Sequence, residues 1–101
     1  MSAGAFSDIF ADAAGGYAAD LVRAAREHDA PSLARLAHRL RGSAAMYGFH
    51  QVSAAAGVLE ASLTGVKTAS EVKDSPHIAD SALELARLCE RAARREPSAR
   101  R

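Results

Sequence analysis

Apolar residues recur along this chain at three- and four-residue intervals, the spacing of a buried stripe on an α-helix, and nowhere in the alternation of a strand. Five segments show it. Residues 6–14 carry Phe6, Ile9, Phe10 and Ala13, and Gly15-Gly16 then predicts a break. Residues 17–28 turn Tyr17, Leu21, Ala24 or Ala25, and His28 inward. Asp29-Ala-Pro31 offers an N-cap and a first-turn proline to a helix over 31–47. Its stripe is Leu33, Leu36, Leu40, Ala44 and Tyr47, and Gly48 suits the left-handed position that follows. Residues 51–64 bury Val52, Ala55 or Ala56, Leu59 and Leu63. Residues 65–75 are the most polar connector and the candidate mobile loop. Ser75-Pro76 starts a last helix to about residue 95, with Ile78, Ala82, Leu85, Cys89 and Ala92 inside. Pro97 ends it, and the residues after it are expected to fray.

The connectors between the second, third and fourth segments are short, and short loops force antiparallel neighbours. The expected fold is therefore all-α, an antiparallel up-down-up-down four-helix bundle. A short extra N-terminal helix would cover one end of its core. Residues 1–101 make a single domain on this reading, with a core over about 5–95 and a basic tail at 96–101.

Composition narrows the function classes. Hydrophobic residues make up 49% of the chain, but many are alanine, aromatics are only 5%, and there is no Trp. That balance favours helix. No stretch approaches the roughly 20 apolar residues of a membrane span. The start Met1-Ser-Ala-Gly lacks the basic opening of a secretory signal. A lone Cys89 leaves no internal disulfide to form, so a cytoplasmic setting is expected. Cys89 shares the apolar stripe and reads as a packed thiol. The net charge of +1 argues against nucleic-acid binding. Six of the arginines fall within residues 87–101, where they complement a helix C-terminus.

One residue on the third segment breaks the core pattern. His38 lies opposite the leucine stripe, on an outer strip with Pro31, Ala34, Arg35, Arg41, Gly42 and Ala45. A neutral ring nitrogen is a competent nucleophile toward phosphorus. A phosphohistidine would add about two negative charges. Arg35 and Arg41, one turn either side, are placed to offset them, Arg41 the better. The same arginines would disfavour the protonated ring. Gly42 costs a helix ~1 kcal/mol relative to alanine. On the outer face, it opens space beside the ring for a partner to approach in line. Ser43 is turned away and is expected to bond back to the helix backbone.

The run Asp29-x-x-x-Leu33-x-x-x-Ala37-His38-x-Leu40-Arg41-Gly42-Ser43-Ala44 resembles the signature of histidine-containing phosphotransfer (HPt) domains, usually His-x-Leu-Lys-Gly-Ser. The likeness continues through Tyr47-Gly48-Phe49 to Leu59-Glu60 and is good over residues 17–63. It implies that His38 is the phosphoacceptor, that Arg41 takes the place of the usual lysine, and that Gly42 is the access glycine. The change to arginine keeps the charge but not its compactness. The resemblance also implies partners: response regulator receiver domains and a hybrid histidine kinase. Mg²⁺ would sit on the receiver, so this chain would need no cofactor. Docking is expected on the outer strip, at Ala34, Arg35, Ala45 and Met46, with Asp20 and Ala24 facing out from the preceding helix.

The chain has no P-loop, no Gly-rich nucleotide fingerprint and no metal-ligand spacing among His28, His50 and His77. It is thus expected to be a phosphocarrier and not an enzyme with its own ATP site. The leading expectation is a monomeric phosphorelay intermediate. The alternative is a non-catalytic module that docks on a receiver or kinase and inhibits it. The dimerisation part of a histidine kinase would need an acid after the histidine, where Arg39 stands. A nucleic-acid-binding bundle would have to rely on the arginine-rich end alone.

Overall fold

A computed structural model describes residues 2–94, with side chains from residue 8 onward. Five helices follow in order: α1 (Ser2–Arg26), α2 (Ala30–Met46), α3 (His50–Ser62), α4 (Ala69–Lys73) and α5 (Pro76–Ala93). The four long ones form the expected antiparallel bundle. α1 packs on α5 and α2, and α3 packs on α2 and α5, so the four close a ring around one core. Leu21, Leu33, Leu40, Leu59, Ile78 and Leu85 fill it, with Ala14, Ala37, Ala44, Ala56 and Ala82 between them. Alanine at so many inner positions lets the backbones approach closely.

The turns from α1 to α2 and from α2 to α3 are built the same way. After α1, His28 adopts the left-handed conformation at φ 54°, and the Asp29 N–H donates to the Ala24 carbonyl at 2.9 Å. After α2, Gly48 does so at φ 85°, and the Phe49 N–H donates to the Ala44 carbonyl at 2.8 Å. These six-to-one bonds satisfy carbonyls that a helix end leaves orphaned. Asp29 then caps α2, accepting from the Ser32 N–H at 3.2 Å, with Pro31 in the first turn. Bonds from Ser32 and the charges of Arg23 and Arg35 hold the Asp29 carboxyl below its ordinary value of 3.8.

The structure corrects the expectation at four places. Gly15-Gly16 does not break the chain: α1 runs through it, so no separate N-terminal helix caps the core. The buried stripe Phe10, Ala14, Ala18, Leu21 passes the glycines without interruption. Packing along that stripe outweighs a glycine penalty of ~1 kcal/mol per residue. Because the helix is continuous, its phase is fixed by Leu21 and Ala25. Ile9 and Ala13, expected inside, are exposed for that reason. His28, expected to face the core, serves instead as the half-buried turn residue.

Ala24 is the third correction. It is 0% exposed, not an outward docking residue. Ala24 and Ala25 flank Leu21 on one helical stripe, about 60° and 40° away, so both enter the core. The fourth is the connector after α3, which contains α4. Thr68 and Glu71 form a capping box there, and Val72 is buried. Bonds from the Lys67 and Thr68 backbone and the Thr68 hydroxyl lower the Glu71 carboxyl from its ordinary 4.5. The Phe6 side chain and the tail at 96–101 lie outside the described residues. Among the described residues no helix is long and apolar enough to cross a membrane.

Candidate functional site

The site stands on α2 and the facing turns of α3. Gly48 reverses the chain between them. Phe49 and Tyr47 pack on Phe10 of α1, with ring centroids 4.7 and 6.2 Å away. The Ser53 hydroxyl of α3 donates to the Arg41 carbonyl of α2 at 2.8 Å and helps fix the register of the pair. That register carries Glu60 to His38.

The His38 side chain is 71% exposed, on the face opposite the buried Leu33, Leu36 and Leu40. Its Nδ1 lies 2.8 Å from Oε2 of Glu60. An ionised carboxylate only accepts, so Nδ1 carries the proton and donates. Nε2 is thereby left as the ring nitrogen without a proton in the neutral imidazole. The ring is not flanked by guanidinium groups alone, as the arginine-rich strip suggested. A carboxylate stands on it.

The second oxygen of Glu60 faces Arg41. Arg41 Nε is 3.2 Å from Oε1, close enough for an ion pair but out of hydrogen-bond alignment. Oε1 is buried and has no hydrogen-bond partner, so that guanidinium is the charge that compensates it. The Glu60 side chain as a whole is 29% exposed. Arg35 turns the other way: its Nη2 donates to the Ser32 hydroxyl at 3.1 Å, toward the start of α2.

The outer strip is low. A methyl group built on Gly42 would meet nothing within 4 Å, so helix packing does not require a glycine there. Ala45 is exposed, Ala34 is half-buried, and Met46 at 77% is the most exposed large apolar residue described. Asp20 is exposed on α1, and Ala24 beside it is buried.

The family model of the Hpt domain matches residues 5–98, nearly the whole chain. The chain belongs to the Hpt domain family. Hpt domains are histidine phosphotransfer modules of two-component signalling, carriers of a phosphoryl group and not catalysts in their own right. Searches of curated proteins and of solved structures gave no match.

In this Hpt domain, sequence reasoning singled out His38, Arg41 and Gly42 as the candidate site and gave Glu60, which the structure sets against His38, no role. A signal for it existed. Counting ten residues back and ten forward from Gly48 pairs residue 38 with residue 58, and Glu60 is the nearest carboxylate to that point. Among the described residues no cluster of three His, Cys, Asp or Glu side chains could hold a metal ion.

Proposed function

We propose that this Hpt domain is a phosphorelay intermediate, taking a phosphoryl group from a receiver-domain aspartate onto His38 and passing it to another response regulator. The observation that carries this reading is the ring itself. Nδ1 is engaged by Glu60, which leaves Nε2 as the nitrogen without a proton, and the side chain is otherwise 71% exposed beside a strip that includes Ala34, Gly42 and Ala45.

The step is a displacement at phosphorus. The Nε2 lone pair attacks the aspartyl phosphate and forms an N–P bond. The P–O bond to the aspartate breaks, and its electron pair leaves as the carboxylate. No proton need move from Nδ1. The ring gains positive charge as the bond forms, and the Glu60 carboxylate at 2.8 Å stabilises it. Onward transfer is the reverse displacement at a second aspartate. A Mg²⁺ ion held by the partner receiver would supply charge neutralisation at the phosphoryl oxygens, and this chain is expected to need no cofactor of its own.

Docking places the receiver over Gly42, Ala34, Arg35, Ala45 and Met46, with Asp20 at the margin. A hybrid histidine kinase supplies the first receiver. The chain acts as a cytoplasmic monomer.

A receiver charged with labelled phosphoryl group tests this directly, with wild type and with His38→Gln. Acid-labile label is expected on wild type and absent from the variant. Label on neither chain, with receivers that bind both equally, would instead make the domain a docking inhibitor.

A further inference from the structure

We infer that Arg41 is a positioning residue for this transfer: its guanidinium holds the Glu60 carboxylate against Nδ1 of His38 and does not bind the phosphoryl group. The inference rests on His38 as phosphoacceptor and assigns a different part to the cation one turn beyond it.

Two observations point the Arg41 side chain toward α3, and a third ties its backbone there. Its Nε is 3.2 Å from Oε1 of Glu60. Its stem lies over Gly57, where an added methyl group would sit 3.6 Å from Cδ. Its own carbonyl is tied to Ser53 on the same helix. The two oxygens of Glu60 divide the work, Oε2 to the ring and Oε1 to Arg41. Oε1 has no other partner. A buried carboxylate oxygen stripped of its compensating charge is costly, so the carboxylate turns toward water when Arg41 is removed. It then releases Nδ1. The loss of Arg41 reaches the ring through Glu60.

Proton and charge accounting agrees. Nδ1–H is retained as the Nε2–P bond forms, and the positive charge spreads over the ring toward Nδ1. The group that must not move during this step is the Glu60 carboxylate. A guanidinium swung out to the phosphoryl oxygens would leave Oε1 uncompensated as that carboxylate is needed.

The test uses the intact chain with Arg41→Gln, Glu60→Gln and the double variant. Far-UV circular dichroism verifies that each folds. Imidazole ¹⁵N spectra report which ring nitrogen of His38 carries the proton. Phosphoramidate, a small donor that needs no docking, phosphorylates the ring and gives both a rate and a phosphohistidine lifetime.

Arg41→Gln is expected to move the His38 ring signals toward those of Glu60→Gln. It should slow phosphorylation about two- to fivefold, the range for a half-exposed ion pair. In the Glu60→Gln background it should add nothing, because both changes act on one path. The phosphohistidine lifetime of Arg41→Gln should be no more than about twofold shorter than that of Glu60→Gln. Arg41→Lys should restore the ring signals, since the contact is charge to charge and not a fork.

Unchanged ring signals, with a phosphohistidine lifetime shortened several-fold by Arg41→Gln alone, would overturn the inference and put Arg41 on the phosphoryl group. Additive losses in the double variant would do the same. If wild type takes no phosphoryl group at His38 at all, the proposed function fails instead. The ring spectra, which need no phosphoryl group, then decide the Arg41–Glu60 link alone.

Discussion

His38 is exposed, yet it is not free. The difference is Glu60, which converts an exposed imidazole into one with a defined tautomer. A sequence shows the imidazole directly and the carboxylate only through the hairpin's register, because the two are 22 positions apart. The opposite error occurred at Ala24. Alanine carries so little polarity that its exposure cannot be read from its type, and helix phase alone settled it. Gly42 stood out in the sequence as a costly residue on an outer face, and the structure shows no packing demand there, so the access role given to it is a proposal. Its role can be separated from the chemistry. Gly42→Leu should fold at least as stably as wild type, with a melting temperature held or raised by a few degrees. Transfer from a receiver should fall roughly tenfold or more, because close approach is lost. Phosphorylation by phosphoramidate should fall far less. Equal losses with both donors would mean that the leucine disturbs the ring itself.

At the scale of elements, periodicity located α2, α3 and α5 but split α1 in two, where packing overrode a local rule. α1 contains a glycine pair that ordinarily stops a helix, and the stripe from Phe10 to Leu21 carries the helix across it. The cost of that pair should be recoverable. A methyl group on Gly16 would meet nothing within 4 Å, so Gly16→Ala should stabilise the domain by about 0.5–1 kcal/mol. His28 occupies the left-handed position that Gly48 fills in the matching turn. His28→Gly should therefore gain about 1 kcal/mol, a rise of roughly 4–8 °C in melting temperature. A fall on either substitution, measured by thermal unfolding, would mean that the side chain or glycine has a packing role the geometry does not reveal. α4 is a different kind of omission. Its polar residues suggested a mobile loop, but Thr68-x-x-Glu71 ahead of Val72 is a capping box in plain sequence.

For the whole molecule, the bundle was legible because four amphipathic stripes and two short turns leave few ways to bury Leu33, Leu59, Ile78 and Leu85 together. Cys89 belongs to that core. Burial, with a smaller push from Glu90, raises its thiol to about 12, so it stays a protonated packing group. Among the described residues the surface carries the His38 ring, its Glu60 partner and the low strip beside them. In the fold, α2 presents the ring and α3 supplies the carboxylate that accepts its Nδ1 proton. The most direct measurement is a relay in one tube. A receiver carrying labelled phosphoryl group, an uncharged second receiver and this chain are mixed, and the label on the second receiver is followed. The account predicts that label appears there only when the chain is present, passes through an acid-labile intermediate on the chain, and vanishes with His38→Gln. Transfer at the same rate without the chain, or with His38→Gln in its place, would contradict it.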